Sequence, residues 1–372
     1  MNWKAYGQAA MQNGKFGNLM NFSNIYHGKN ILITGNTGFK GSWLAQWLTN
    51  LGANVIGYSL KPKTTPNHFE LLELDYKTYY NDINDLETLK KVINEHNPEL
   101  IFHLAAQPLV RYSYNNPIET YQTNVIGTLN VLEAARVNNA VKAIVIVTTD
   151  KCYENKEQIK GYVESDKMGG YDPYSSSKGC AELLVNSYRN SFFNLNKFNI
   201  DHNTLLASAR AGNVIGGGDW SEDRLIPDII RSVINKKNSE IRNPLSTRPW
   251  QHVLEPLSGY LELGAKLLNG DKKFAEGWNF GPQENECLTV REVLNKAIKS
   301  WNRIQFKEKV DIDDLHEANL LSLNIEKAKL ILDWSPKWSN DLAIERTIMW
   351  YREYYEDQQI NTMKDISLFI NS

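Results

Sequence analysis

Tyr174-Ser-Ser-Ser-Lys178 sets a phenol and an ammonium four residues apart. On a helix that spacing puts both on one face. A tyrosine with a pKa near ~10 is a poor base at neutral pH. An ammonium held nearby favours the phenolate. Such a pair can take the proton of a substrate hydroxyl while a hydride leaves for a nicotinamide. The string Thr149-Asp150-Lys151 closes an apolar run and adds a hydroxyl, a carboxylate and a second amine. A third group of residues, Gly35-Asn-Thr-Gly38-Phe-Lys-Gly41, has glycines three apart between an apolar run and a helical one. Glycines so placed let backbone approach a pyrophosphate at a helix N-terminus.

These groups need a frame. Asn30–Thr34 is apolar and short, as a buried strand would be, and Trp43, Leu44, Trp47, Leu48 and Leu51 follow at helical spacing. The alternation continues: strand at 53–58, helix at 86–96, strand at 100–104, helix at 121–137, strand at 141–148. This rhythm predicts an α/β fold, a doubly wound parallel sheet of Rossmann type. Strand C-termini then share one edge, where ligands bind. From about residue 213 Pro and Gly become frequent, which predicts a smaller mixed lobe. The expected division is an arm over 1–28, loosely ordered, a dinucleotide-binding domain over 29–212 carrying the catalytic residues, and a substrate lobe over 213–372 interleaved with the last sheet strands.

Composition narrows the classes. The chain has 372 residues, with 41 Lys and Arg against 43 Asp and Glu, and this near balance argues against a general nucleic-acid binder. The three cysteines share no CxxC spacing, which fits a reducing compartment. No apolar run approaches a membrane span, and the first thirty residues lack the apolar stretch of a signal peptide. A cytoplasmic protein is expected. The seven histidines include no HxxxH or HExxH spacing, so no metal is expected, and His103 reads as packed on a strand.

The chain resembles the extended short-chain dehydrogenase/reductase superfamily over about 28–355, with landmarks at His103-Leu-Ala-Ala106, Thr123-Asn124-Val-Ile-Gly127 and Trp278-Asn-Phe-Gly281. More specific strings are Gly38-Phe-Lys-Gly-Ser-Trp43, Ala106-Gln-Pro-Leu-Val-Arg111, Asp150-Lys-Cys-Tyr153, Gly169-Gly-Tyr-Asp-Pro-Tyr174, Arg210-Ala-Gly-Asn-Val-Ile-Gly-Gly-Gly-Asp-Trp220 and Arg248-Pro-Trp-Gln-His252. They are similar to the sugar-nucleotide 4,6-dehydratases that act on CDP-glucose. That resemblance implies conversion of CDP-D-glucose to CDP-4-dehydro-6-deoxy-D-glucose on bound NAD, for deoxysugar synthesis of the lipopolysaccharide O-antigen kind. An epimerase or reductase on the same scaffold would use the Thr, Tyr and Lys but has no need of Asp150 with Lys151.

The resemblance also implies roles. Tyr174 takes the 4-hydroxyl proton, Lys178 supports it, Thr149 hydrogen-bonds the 4-oxygen and Asp150 is the acid at the 6-hydroxyl. Lys151 is either the base at C5, which requires it neutral, or an orienting group. The cofactor would lie on Gly35, Thr37, Gly38, Phe39, Lys40, Gly41, Leu104, Ala105, Ala106 and Thr123, with Asp82 and Ile83 at the adenine. The second strand ends without the usual acid. Ser59 can stand in as a neutral group, whereas Lys61 and Lys63 could favour a 2′-phosphate. Candidate substrate residues are Gln107, Arg111, Asn213, Arg224, Arg248 and His252, with Arg248 and Asn213 at the diphosphate and Arg224 either there or in a salt bridge. Trp220 and Trp250 either stack on cytosine or fill a lobe interface. The helices over 121–137 and 174–193 carry surplus apolar surface, and in relatives they pair across a two-fold axis, so a homodimer or homotetramer is expected.

Overall fold

The structure, a computed structural model, describes residues 23–158, 160–241, 243–283, 287–308 and 321–372. Seven strands form one all-parallel sheet: β1 (Asn30–Thr34), β2 (Asn54–Ser59), β3 (Lys77–Tyr80), β4 (Leu100–His103), β5 (Ala143–Val147), β6 (Leu205–Arg210) and β7 (Gly277–Asn279). Their order is β7-β6-β5-β4-β1-β2-β3. The chain runs outward from β1 in one direction and then returns to build the other half from β4. The crevice between β1 and β4 is therefore the switch point of a doubly wound fold. Ile31 pairs with Val55 on one side and Leu100 on the other, which fixes the register there.

Both sheet faces are buried, which is why the strands read as continuous apolar runs. Ile31 and Ile33 point into one core with Trp43 and Trp47 of helix α1 (Phe39–Asn50). Leu32 points the other way, into a second core with α2 (Leu86–His96), α3 (Gly127–Arg136) and α4 (Pro173–Ser191). Local chemistry sets the helix ends. Asp85 caps α2 by accepting from the Thr88 N–H at 3.0 Å, and Asn97 closes it in the left-handed region. Asp172 caps α4 and Pro173 occupies its first turn.

Two expectations change in detail. The helix expected over 121–137 is three pieces: Pro117–Tyr121, a wide π turn at Gln122–Ile126, and α3. Buried Asn124 lies in the wide turn; its side chain accepts from the Gln107 N–H at 2.8 Å and donates to Ser177 Oγ at 2.8 Å. Of the arm expected over 1–28, residues 1–22 lie outside the described ones, and Ser23–Tyr26 form a helical turn. Tyr26 is buried and its hydroxyl donates to the Leu261 carbonyl, so this end of the arm belongs to the fold. Helices α5 (Leu254–Leu268) and α6 (Asn340–Asp357) pack on the first core.

Candidate active site

β5 delivers Thr148 and Thr149 to the strand C-terminal edge, and a single 3-10 turn, Asp150–Cys152, follows. Thr149 donates to Asp150 Oδ1 at 2.8 Å and accepts the Lys151 N–H at 3.4 Å. Asp150 is buried, and Asn213 Nδ2 stands 3.5 Å from its other oxygen. Lys151 is half-buried beside it. Tyr174 lies in the first turn of α4, its N–H held by Ser113 Oγ at 3.1 Å and its carbonyl by Ser177 Oγ at 2.7 Å. Burial pushes the Tyr174 phenol up to about 12; a hydrogen bond with Thr149 and the charge of Arg224 act against that rise. The structure thus joins Thr149, Asp150, Tyr174, Asn213 and Arg224 in one group.

Lys178 lies one turn on from Tyr174 on the same helix. It is buried, and its ammonium donates to the Val147 carbonyl at 3.3 Å. Thr149 and then Arg224 are the foremost influences lowering the phenol. The Lys178 bond ties the end of β5 to the helix that carries Tyr174.

Three expected substrate residues find other partners. His252 is wholly buried between Trp43 and Trp338, with ring centroids 5.8 Å and 4.8 Å away, and its Nδ1 accepts the Leu254 N–H at 3.3 Å. Burial lowers its pKa to about 3, so it is a neutral core residue and not a substrate ligand. Gln107 spends its amide on its own loop: Nε2 donates to Leu109 O and Thr120 Oγ1, and Oε1 accepts the Leu109 N–H. Arg224 pairs with buried Asp219 at 2.7 Å, the salt-bridge alternative, while remaining close enough to act on Tyr174 and Lys40. Arg111 lies half-buried on Val110–Asn115, the helix whose Ser113 holds Tyr174. Arg248 stands on a two-residue ladder opposite Leu288. Trp220 packs on Trp350, Tyr351 and Tyr354, and Trp250 donates to the Leu288 carbonyl at 3.2 Å; both fill the lobe. His103 is packed between Thr34 and Thr128, as expected.

The glycine turn is closed so tightly that only glycine fits within it. A Cβ on Gly41 would fall 2.1 Å from the Gly35 carbonyl oxygen, so no side chain can occupy the cradle, and Gly35 itself has φ +76°. Helix α1 begins at Gly38 without a side-chain cap, leaving first-turn N–H groups for an anion. Half-buried Lys40 is lowered to about 7, first by burial and then by Arg224, with Asp150 opposing and Lys178 adding to the fall. A bound phosphate would restore its charge. At the end of β2, Ser59 Oγ meets Thr37 Oγ1 at 2.8 Å, giving two neutral hydroxyls where a carboxylate was missing from the sequence. Leu104 and Ala105 line the same turn beneath Gly35, Ala106 follows, and Thr123 is half-buried on the π turn. Asp82 is exposed and accepts from Asn84, and Ile83 is in the core against Gly127. Residues with the chemistry to hold NAD are therefore present. Among the described residues, no cluster of three His, Cys, Asp or Glu side chains could hold a metal ion, and no helix is long and apolar enough to cross a membrane.

Sequence reasoning passed over Glu182, which is buried one turn beyond Lys178 and paired with Arg210 at 2.7 Å. A carboxylate four residues after Lys178 within an apolar helix was its one visible signal.

A parallel doubly wound sheet, a glycine turn after β1 and a Tyr–Lys pair on the helix after β5 define a short-chain dehydrogenase/reductase of the extended kind. The chain belongs to the GDP-mannose 4,6 dehydratase family, whose model matches residues 32–347. It is 48% identical over 353 residues to the CDP-glucose 4,6-dehydratase of Salmonella typhimurium, covering 94% of this chain and 98% of that protein. It is 26% identical to the CDP-paratose 2-epimerase of Salmonella typhi, covering 86% and 98%. Among solved structures, an epimerase of Methanothermobacter thermautotrophicus superposes with a TM-score of 0.78 at 26% identity, covering 92% of this chain and 97% of that one. The dTDP-glucose 4,6-dehydratase of Bacillus anthracis, solved with NAD, shares the fold with a TM-score of 0.73 at 24% identity, covering 88% and 98%.

Proposed function

We propose that this protein is an NAD-dependent hydro-lyase converting CDP-D-glucose to CDP-4-dehydro-6-deoxy-D-glucose and water. The observation that carries the reading is the buried group of Tyr174, Thr149 and Asp150, in which Thr149 donates to Asp150 at 2.8 Å and acts on the Tyr174 phenol, with Lys151 beside them. A dehydrogenation needs only the first two, and an elimination needs an acid and a base as well. The relative at 48% identity, named for CDP-glucose, supports the substrate.

The chemistry NAD supplies when bound is uptake of a hydride from C4 and its return at C6. Tyr174 accepts the 4-hydroxyl proton, and Lys178, one turn along the helix, supports it as an ammonium. Thr149 hydrogen-bonds the 4-oxygen and keeps it in line with the phenol. The new ketone acidifies C5. Asp150, buried and touched by Thr149 and Asn213, donates to the departing 6-hydroxyl. Lys151 is our candidate for the C5 proton. Lys40, Arg224 and Lys178 give the site a cationic bias that suits paired diphosphates.

We infer a cytoplasmic homodimer or homotetramer. Ile118, Ile126 and Leu183 are exposed on the helical face formed by 117–126 and α4, an apolar surface suited to a second copy. Gel filtration with light scattering tests it, and a monomer would refute it.

The decisive experiment is incubation with CDP-glucose, dTDP-glucose and GDP-mannose, read by mass spectrometry. Loss of one water from CDP-glucose alone is expected, and it should vanish in Tyr174→Phe. Full turnover by that variant overturns the reading.

A further inference from the structure

Glu182 is an anion in a place where stability alone does not call for one. Its Oε1 accepts from Thr148 Oγ1 at 2.5 Å, and its Oε2 accepts from Ser208 Oγ at 2.8 Å and Arg210 Nη2 at 2.7 Å. Arg210 continues to the Tyr153 hydroxyl at 2.6 Å, and that hydroxyl donates to Asn279 Oδ1 at 2.7 Å. One carboxylate thus gathers the end of β5, β6, β7 and the turn that carries Asp150 and Lys151. Burial raises the Glu182 carboxyl, but Arg210 and these hydrogen bonds outweigh it and leave it below the usual carboxylate range. A buried ion pair is often no more stable than an apolar pair of the same volume. Its charge, however, is felt by any group nearby.

Lys178 is such a group, one helical turn earlier on the same face of α4. Four groups act on it or feel it: Glu182 from its own helix, Cys152 from the 3-10 turn, His103 from β4 and Lys40 from the glycine turn. Burial keeps the Cys152 thiol protonated and His103 neutral, while Lys40 repels. Among these four, Glu182 supplies the negative charge. We propose that Glu182 is a positioning residue that keeps Lys178 an ammonium while its hydrogen bond to Thr148 holds the strand end that presents Thr149. Arg210 weakens this field without removing it: the guanidinium is shared with the Tyr153 hydroxyl and the Glu164 carbonyl, and it meets the carboxylate at Oε2, whereas Oε1 is turned to Thr148 beside Val147, the residue Lys178 donates to. In support, burial draws Lys178 down to about 8 and Glu182 is the foremost influence opposing it.

The proposal rests on the reading that Lys178 serves the reaction at Tyr174, so its test separates the two. Glu182→Gln keeps shape and an acceptor but removes the charge. Losing an adjacent anion disfavours the ammonium, so the alkaline limb of kcat should move to lower pH by about one unit, a tenfold deficit on that limb. The KM for CDP-glucose should hold. Trace acetylation of Lys178 against pH, read by peptide mass spectrometry, should show the same shift without turnover. If the orphaned guanidinium unfolds the single variant, Glu182→Gln/Arg210→Gln removes it, and the shift should keep its direction. An unmoved limb and acetylation curve, or an equal loss at every pH, overturns the proposal. A wild type that dehydrates no sugar nucleotide refutes the proposed function instead, and the acetylation curve still decides the role of Glu182.

Discussion

Thr149→Val removes one hydroxyl and almost nothing else, so its effect can be worked from the bonds that hydroxyl makes. A phenol with a pKa of about 12 is ionised in roughly one molecule in 10⁴ at pH 8, which costs about 5 kcal/mol. The hydrogen bond with Thr149 is one of the influences reducing that cost. The one hydroxyl proton rests on Asp150 at 2.8 Å and serves the phenolate only by turning away from it. Losing it costs about 1 kcal/mol where the phenolate would have had it, or ~1–3 kcal/mol where Asp150 is left with Asn213 alone at 3.5 Å. The two do not add, so a loss falling on the transition state is roughly 1–3 kcal/mol, about 5- to 150-fold in kcat. KM should change little, because the nucleotide is held elsewhere. The orphaned Asp150 should also lower Tm by about 1–4 °C for a chain of this size. The assay is release of the 4-keto-6-deoxy product, followed by its absorbance in strong alkali, with Thr149→Ser as the control that restores the hydroxyl. A Val variant within about threefold of wild type, or a Ser variant as impaired as Val, refutes the reasoning.

Gly41→Ala would put a methyl 2.1 Å from the Gly35 carbonyl oxygen, and NAD affinity by equilibrium dialysis should fall at least ~100-fold, roughly 2.7 kcal/mol. His252→Ala opens a cavity between Trp43 and Trp338 and should cost about 2–4 kcal/mol in urea unfolding, with KM unchanged; a raised KM with normal stability would restore His252 to the substrate site. His68, His103 and His252 are each held neutral by burial, with pKa values of about 3. The unfolded chain gains these protons from about pH 6.5 downward while the fold does not, so stability is full above that pH and is lost as pH falls toward 3. At pH 5 the loss should be roughly 2 kcal/mol per histidine, and a flat Tm between pH 6.5 and 5 would contradict it.

What the sequence by itself determined follows from short-range rules. Alternating apolar runs dictated the strands, because both faces of a parallel sheet are covered. The glycine spacing dictated the dinucleotide turn, because backbone at Gly35 and Gly41 touches. The four-residue step from Tyr174 to Lys178 dictated their common face. The string that carries Thr149 and Asp150 was readable because strand C-termini of such a sheet share the edge where ligands bind. Tertiary structure decided the rest. His252 and Arg248 belong to one sequence string, but short strand pairings put the first against Ile215 in the core and the second opposite Leu288. Gln107 was drawn to its own loop by Thr120, thirteen residues on. Lys178 finds its carbonyl on β5, and Glu182 finds Arg210 on β6, through contacts 31 and 28 residues apart. No periodicity encodes such pairs. Which buried charge meets which depends on the packing of strands against a helix, and that packing exists only once the whole sheet has formed.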